Sequence, residues 1–221
     1  MLFNIDLHVH TDRSPDGCST LLEIAAIAKL KGLHGLALTD HDIMMHEGDS
    51  MRLSRELGIL VVPGVELTTE AGHLIILNPK RNLLGLSMKE AAHAASIDGS
   101  PIIIPHLMDP ISHGIGEEQA LSLLTYSPLI EVLNASTFSR YNHKASFFAT
   151  SHSLPAVGGS DAHLADAVGD AYTVVDSPSL ELGSVLAAIS DGRTMPSGGR
   201  TSLATAAKTV FARFMKRISR A

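Results

Sequence analysis

The chain of 221 residues contains one cysteine, no tryptophan, three tyrosines and six phenylalanines. A disulfide within the chain needs two cysteines, and Cys18 is the only one, so a fold stabilised by internal disulfides is excluded. We therefore expect a protein of the reducing cytoplasm. Few aromatic rings also mean few platforms on which the bases of a long single strand could stack. A long nucleic-acid partner is therefore not favoured, although it stays open.

Long hydrophobic runs are absent too. No apolar stretch approaches the roughly 20 residues that cross a bilayer, and Asp6 and His8 fall where a signal peptide would continue its apolar core. We therefore expect neither a membrane span nor an export signal. Because 45% of the residues are hydrophobic and 18% are charged, the chain can bury the core of one domain. The net charge of -6 gives no general attraction to nucleic acid or anionic membranes.

Strand-like and helix-like segments alternate along most of the chain. The pattern predicts strands at 3–7, 36–39, 59–62, 65–69, 73–77, 101–105, 129–133, 155–158 and 171–175. It predicts helices at 20–30, 50–57, 87–97, 117–124, 141–153 and 180–190, with capping boxes opening the first and third. Pro63-Gly64 should end the third strand, and a turn at 70–72 should form a hairpin. This alternation indicates an α/β fold with a parallel sheet, and about seven strands can close as a barrel.

Metal-ligand side chains follow the predicted strands, where active sites of such barrels lie. His8 and His10 are two residues apart, so in a strand their side chains share one face. Imidazole and carboxylate groups bind zinc, manganese and iron, and mixed sets of the two are typical of catalytic rather than structural metals. The candidate ligands are His8, His10, Asp16, His41, Glu66, His73, His106, Asp161 and His163.

Four short motifs resemble those of the PHP (polymerase and histidinol phosphatase) family. They are Asp-Leu-His-Val-His-Thr at 6–11, Thr-Asp-His-Asp at 39–42, Pro-His at 105–106 and Gly-Ser-Asp-Ala-His at 159–163. Pro-Gly-Val-Glu at 63–66 and Gly-His at 72–73 resemble its intervening signature. Over roughly residues 1–200, the resemblance implies a distorted (β/α)7 barrel, two or three divalent metal ions and phosphoester hydrolysis.

The resemblance also implies a role for each ligand. His8 and His10 would share one metal with Glu66 and Asp161. Glu66 would bridge to a second metal with His73 and His106, and Asp16, His41 and His163 would hold a third. The Ser14-Pro15-Asp16-Gly17 loop has one proline more than the Ser-Asp-Gly common in the family, which leaves open whether Asp16 reaches the site. Asp6, Asp40 and Asp42 would orient imidazoles.

The reaction implied is attack on phosphorus by a hydroxide shared between two metals. Asp161, His163 and Glu66 would be the catalytic residues, with His163 or a metal-bound water protonating the leaving alkoxide. Candidates for binding the phosphate of a small molecule or nucleotide are Arg13, Asn134, Arg140 and Arg200.

Two other functions compete. An amidohydrolase-like enzyme also begins with His-x-His, but it usually needs a mid-barrel lysine, and the corresponding strand end here carries Pro105-His106. A non-catalytic metal-bound domain serving a partner would more often have lost several ligands.

Residues 201–221 form a separate basic segment. No acidic residue follows Asp191, and the segment after it contains Arg193, Arg200, Lys208, Arg213, Lys216, Arg217 and Arg220. A partial apolar stripe predicts a C-terminal helix packed on the barrel or on a second copy of the chain in a homo-oligomer. Contact with a membrane surface or nucleic acid is the less favoured alternative.

Overall fold

The computed structural model describes residues 1–219. Its strands are β1 Leu2–Val9, β2 Gly35–Leu38, β3 Leu60–Thr69, β4 Gly72–Leu77, β5 Ile102–Ile104, β6 Leu129–Asn134, β7 Ala156–Gly159, β8 Ala171–Asp176 and β9 Thr194–Gly198. Its helices are α1 Leu21–Leu30, α2 Glu47–Leu57, α3 Met88–Ile97, α4 Glu117–Ser122, α5 Ser139–Ser151, α6 Leu182–Ser190 and α7 Leu203–Ser219.

The strands form one nearly closed, barrel-like sheet in the order β7-β6-β5-β4-β3-β2-β1-β8-β9. At the upper end β7 returns to β1, where Val9 bridges to Ala162 and the His10 N–H donates to the Ala162 carbonyl over 3.0 Å. At the lower end β8 pairs with Leu2–Ile5 of β1 and separates it from β7. The predicted barrel-type α/β fold is thus confirmed. The sheet is mixed rather than parallel, because β4 and β8 run antiparallel to their neighbours.

The predicted helix starts follow from their capping residues. The Thr20 and Ser87 side chains accept from the backbone N–H of the glutamate three residues later, and each glutamate bonds back to the cap. Both helices therefore begin where the capping boxes place them.

The prediction that Pro63-Gly64 ends the third strand is wrong. β3 continues through both residues because it changes partner there: Leu60–Pro63 pairs with β2, and Gly64–Thr69 pairs with β4. A side chain at position 64 would press against the Leu38 carbonyl at 3.1 Å and the Thr39 methyl at 3.2 Å, so a glycine suits this crossing. β9 was not predicted either, because its sequence Thr-Met-Pro-Ser-Gly has no strand-like alternation.

The lower half of the barrel interior is apolar, and its upper half is polar. Val62, Ile75 and Leu129 belong to one buried apolar cluster. Glu66 lies four residues after Val62, and His73 and Glu131 lie two residues from their apolar partners, so these polar side chains share the inward face. In β1 a register shift between Asp6 and Val9 interrupts the alternation. The same barrel therefore stabilises the fold below and collects polar groups above.

Helix α7 confirms the predicted C-terminal helix, but its apolar stripe is not the side that packs. Thr205, Thr209, Ala212 and Lys216 are partly covered and recur every three or four residues, so they face the barrel. The large apolar residues of α7 are exposed: Leu203, Val210, Phe211, Phe214, Met215 and Ile218. Association of two chains through this helix stays a prediction, as does a domain boundary at residue 200. Arg220 lies outside the described residues. None of the helices within residues 1–219 is long and apolar enough to span a membrane.

Gly159 permits the close packing at the top of the barrel. A methyl group there would lie 2.5 Å from His8 Cβ and 2.7 Å from Glu131 Oε1. We predict that Gly159→Ala lowers the free energy of unfolding by about 1–3 kcal/mol, because overfilled cores strain their neighbours. Denaturant unfolding measures this. Gly183→Ala in α6 is the matched control, because its methyl would meet nothing within 4 Å, and its stability should be unchanged or slightly raised. Equal effects of both substitutions would contradict the packing argument.

Candidate metal centre

Each of the nine predicted ligands lies at the upper mouth of the barrel. His8 and His10 come from the end of β1 and the residue after it, His41 follows β2, and Glu66 and His73 come from the two strands of the β3–β4 hairpin. The other four lie in the loops that follow β1, β5 and β7: Asp16, His106, Asp161 and His163. Side chains from six segments that are distant in sequence therefore meet in one place.

The first group has the spacing of ligands around one ion. The Nε2 atoms of His8 and His10 lie 3.3–3.4 Å from Glu66 Oε2 and 3.4–3.5 Å from Asp161 Oδ1. Neighbouring ligands about 2.1 Å from one metal ion lie roughly 3–3.5 Å apart. These four distances between imidazole and carboxylate atoms are therefore of the size found between ligands that share an ion.

Two further groups adjoin the first. Glu66 Oε1 lies 2.9 Å from His106 Nε2 and 3.0 Å from His73 Nδ1. On the other side, Asp16 Oδ2 lies 2.9 Å from His163 Nε2 and 3.8 Å from His41 Nε2. The extra proline in its loop does not keep Asp16 away from the cluster.

His41 lies between the groups. Its Nε2 faces Asp16, while its Nδ1 lies 3.1 Å from Glu66 Oε2. Ligand atoms of His10, Asp16, His41 and His163 lie within 4.8 Å of one another, and so do those of His41, Glu66 and His73. His41 therefore belongs to two of the groups, whereas the resemblance assigned it to the third alone.

Buried polar atoms without a hydrogen-bond partner are the test of whether a cation fits. Of nine such side-chain atoms in the described chain, eight belong to the predicted ligands: His8 Nε2, His10 Nε2, Asp16 Oδ1, His41 Nδ1, Glu66 Oε2, His73 Nδ1, His106 Nδ1 and His163 Nε2. Burying polar atoms without partners is costly, so their concentration at one point needs an explanation. Nitrogen and oxygen donors of this kind fit divalent zinc, manganese or iron.

The charges of these groups support one another. Burial raises the pKa of Asp161, but the surrounding imidazoles, His8 foremost, lower it by more, so this pKa lies below its ordinary value. Burial lowers the pKa of His8, but the carboxylates of Asp161, Glu131 and Glu66 raise it well above its ordinary value. Burial and the nearby His163 lower the pKa of His10 to about 3, so His10 stays neutral and ready to bind a cation.

The two ring nitrogens of His163 face different partners. Its Nδ1 lies 3.0 Å from the Asp161 carbonyl oxygen, and a proton on Nδ1 donates to that oxygen. This tautomer leaves the lone pair of Nε2 facing Asp16 and the cluster. This geometry suits a metal ligand, and protonation of a leaving group by His163 stays a prediction.

A cleft of about 1120 Å³ opens above the donors. Of the predicted phosphate-binding residues, Arg200 lies on its wall. Arg13 and Arg140 are exposed but are not part of the wall, and Arg140 instead stacks on Tyr141, 4.7 Å from the ring centre. Asn134 is fully buried and bonds to carboxylates, so it does not face a substrate.

Two residues of the cleft were missed by sequence reasoning. Arg213 of α7 reaches the metal-ligand cluster, with its Nη2 2.6 Å from Asp16 Oδ2. The ring of His113 lies 5.3 Å from that of His73, and both line the cleft. Arg213 is part of an otherwise ordinary amphipathic helix, and no motif surrounds His113, so neither carried a signal.

Comparison with known families decides the classification. The PHP domain family matches residues 6–144, and the family described as PHP-associated matches residues 139–194. The chain belongs to the PHP family.

Individual relatives agree with this. A phosphoribosyl 1,2-cyclic phosphate 1,2-diphosphodiesterase of Eggerthella lenta is 35% identical over 101 residues, which are 44% of this chain but only 36% of that enzyme. A two-domain Bacteroides vulgatus protein containing a predicted PHP-like metal-dependent phosphoesterase superposes with a TM-score of 0.68 at 21% identity, over 98% of this chain and 70% of its own. A lesion-specific endonuclease of Pyrococcus furiosus gives 0.65 at 20% identity, over 86% and 56%. At such identities the two structures show the fold alone.

In this PHP domain the imidazole of His8 is oriented by Glu131, which sequence reasoning missed. Glu131 Oε1 lies 3.0 Å from His8 Nδ1, and Oε2 accepts from the His106 N–H and from Asn134 Nδ2, both at 2.8 Å. The sequence contained one signal of this role, a charged residue within the largely apolar strand Leu-Ile-Glu-Val-Leu-Asn.

The prediction that Asp6, Asp40 and Asp42 orient imidazoles is wrong. Asp6 accepts from the backbone N–H groups of His8, Ser160 and Gly169. Asp40 accepts from the N–H and hydroxyl of Thr11, and Asp42 accepts from the Thr68 N–H. These carboxylates fasten the backbone beneath the ligands instead of holding the rings.

Two ligands of the PHP site have an unusual backbone. Asp161 and His106 adopt positive φ values of 53° and 31°, which non-glycine residues seldom do. The Asp161 N–H donates to the His8 carbonyl over 2.8 Å, which ties this turn to β1. Such conformations persist where surrounding bonds enforce them, and they concentrate at functional sites.

We predict that Glu131→Gln weakens metal binding about 10- to 100-fold while the PHP domain stays folded. The glutamine oxygen must still accept from His106 and Asn134, so its NH2 group faces His8 Nδ1. The His8 proton then moves to Nε2, the atom that faces Glu66 and Asp161. Calorimetric titration of the chelator-treated protein with Zn²⁺ measures the affinity, and Glu118→Gln on the exposed start of α4 is the control. Unchanged affinity in Glu131→Gln would exclude this role.

Metal affinity should also rise with pH. Nearby carboxylates outweigh burial at His8, His106 and His163, so the pKa of each lies above its ordinary value and each ring keeps its second proton to a higher pH than an ordinary histidine. A cation binds only the neutral imidazole, so it must displace those protons. We expect affinity to increase from about pH 6 to pH 8, with proton release detected by calorimetry in buffers of different ionisation enthalpy. Binding without proton release would show that these rings are already neutral.

Proposed function

We propose that this PHP domain is a metal-dependent phosphoesterase that hydrolyses a phosphoester of a small molecule or nucleotide. The observation that carries this is the convergence of nine imidazole and carboxylate ligands beneath a cleft with arginines on its wall. Two or three cations of zinc, manganese or iron would be held by these side chains, and a reducing cytoplasmic setting fits the lone cysteine.

The protein's contribution to the reaction is to position the carboxylates and imidazoles that would hold the cations. Bound cations would activate water and offset the charge on the phosphoryl oxygens. Glu66 joins two of the donor groups, since Oε2 faces His8 and His10 while Oε1 faces His73 and His106. Asp161 completes the first group and is itself held by Asn134 Nδ2 at 3.2 Å. These carboxylates would thus hold neighbouring cations in adjacent donor groups.

Arg200 is the residue we assign to the phosphate. Its Nε donates to the Thr137 carbonyl over 3.0 Å, which fixes the direction of the guanidinium. The terminal N–H groups can then bind phosphate oxygens in pairs. A cleft of about 1120 Å³ has room for a nucleotide-sized molecule.

The competing functions have less support. An amidohydrolase-type site needs a lysine between its metals, and within the described chain the cleft wall contains no lysine. A purely structural domain would not need an open cleft above a full set of ligands. The likeness to an endonuclease is one of fold, so cleavage of DNA is tested rather than proposed.

We expect His10→Ala and Asp161→Ala to abolish turnover and lower metal content while circular dichroism stays unchanged. The substrate panel is p-nitrophenyl phosphate, bis-p-nitrophenyl phosphate, histidinol phosphate, nucleoside bisphosphates and short oligonucleotides, each with Mn²⁺, Zn²⁺ or Fe²⁺. His143→Ala, on the exposed side of α5, is the matched control and should behave as the unaltered protein. Full activity of either variant at normal metal content would overturn the proposal.

A further inference from the structure

The polar side of α7 grips the loop that follows β1. Lys216 Nζ donates to the main-chain carbonyl oxygens of Asp12 at 3.0 Å, Ser14 at 2.8 Å and Gly17. An ammonium group has three N–H donors, so its full capacity is directed at this one loop. Lys216 is itself partly covered, unlike the exposed apolar residues beside it.

That loop carries Asp16, whose position depends on the backbone around it. Ser14 and Gly17, on either side of Asp16, are both held by Lys216. Residues 10–20 contain no regular helix or strand, and separate backbone bonds, such as Asp12 N–H to the Ser19 carbonyl and Cys18 N–H to the His163 carbonyl, hold their path. The contact with Lys216 adds to these bonds and restrains the segment in the form in which Asp16 Oδ2 lies 2.9 Å from His163 Nε2.

A second cation of α7 acts on the carboxylate itself. Arg213 Nη2 lies 2.6 Å from Asp16 Oδ2, the same oxygen that faces His163 and His41. A metal ion that took this oxygen as a ligand would compete with the guanidinium for it and would be repelled by the guanidinium charge. Arg213 is about half exposed, with 46% of its side chain accessible, so it has solvent into which it can move.

We propose that α7 forms part of the third cation site and acts on it in two opposite ways. Lys216 is a positioning residue that holds Asp16 ready for the cation, whereas Arg213 competes with the cation for Asp16 Oδ2. The inference rests on the metal-dependent function proposed above. If α7 only anchored the C-terminal segment, loss of Lys216 and loss of Arg213 would change the affinity of the third site in the same direction.

The chain offers a control on the same helix. Lys208 Nζ pairs with Asp166 Oδ2 at 2.9 Å, so its charge is directed at a different loop. Lys208→Met thus removes a charge and an ion pair of α7 but leaves the hydrogen bonds from Lys216 to residues 12–17 in place.

The experiment measures cation binding, not turnover. The full chain and its Lys216→Met, Arg213→Met and Lys208→Met variants are stripped with chelator and titrated with Mn²⁺ by calorimetry, and bound metal is counted by mass spectrometry. The step lost in Asp16→Asn identifies the third site. We expect Lys216→Met to weaken that step about 10-fold, as loss of a ligand-supporting contact does. Arg213→Met should tighten it at least about threefold, and Lys208→Met should leave it unchanged.

Each outcome decides between the proposals. An unaltered protein that binds no Mn²⁺ at all defeats the proposed function, whereas one that binds only at steps insensitive to Asp16→Asn defeats this inference alone. Unchanged third-step affinity in Lys216→Met, or weaker affinity in Arg213→Met, also overturns it. Should Lys216→Met fail to fold, Lys216→Gln keeps two N–H donors and supplies the same comparison, and Lys216→Arg should restore affinity.

Discussion

The buried carboxylate of Glu66 is the interaction on which the upper barrel depends. Five imidazole nitrogens lie within 3.4 Å of its two oxygens, contributed by His8, His10, His41, His73 and His106. Only 1% of the Glu66 residue is accessible, so water cannot stabilise its charge. A carboxylate in this setting is tolerable because positive or polarisable partners surround it on all sides. Glu66 is therefore the common neighbour of five imidazoles that come from different parts of the sequence.

The barrel separates stability from chemistry along its axis. Below Glu66, residues such as Val62, Ile75 and Leu129 form a dry apolar cluster that holds the strands together. Around the ligands, Asp6, Asp40 and Asp42 accept backbone N–H groups and fix the loops. The ligand rings can therefore point their free nitrogens inward without the loops collapsing over them. The polar groups at the upper end of the barrel are thus supported by an apolar layer that takes no part in metal binding or catalysis.

Much of this could be predicted from local sequence. Capping boxes at Thr20 and Ser87 placed two helices, and imidazoles and carboxylates after successive strands indicated one shared site. What failed depends on tertiary contacts. The route of β3 through Pro63 follows from a change of partner strand, and the link from Glu131 to His8 joins residues 123 positions apart. The contacts of Arg213 and Lys216 depend on the path of α7 across the mouth of the barrel. No local sequence pattern predicts that path.

The antiparallel β4 has a consequence for how this fold can vary. His73 enters the site at the start of its strand, with only Gly72 between it and the two-residue turn Glu70-Ala71, whereas His106 enters after the neighbouring strand β5. Thr68 pairs with His73, so lengthening that turn by one residue would slide the register and turn the imidazole to the outer face. Loops that carry no ligand are free of this constraint. Among relatives that keep this imidazole, the hairpin tip should therefore hold a constant length even where loops without a ligand differ in length.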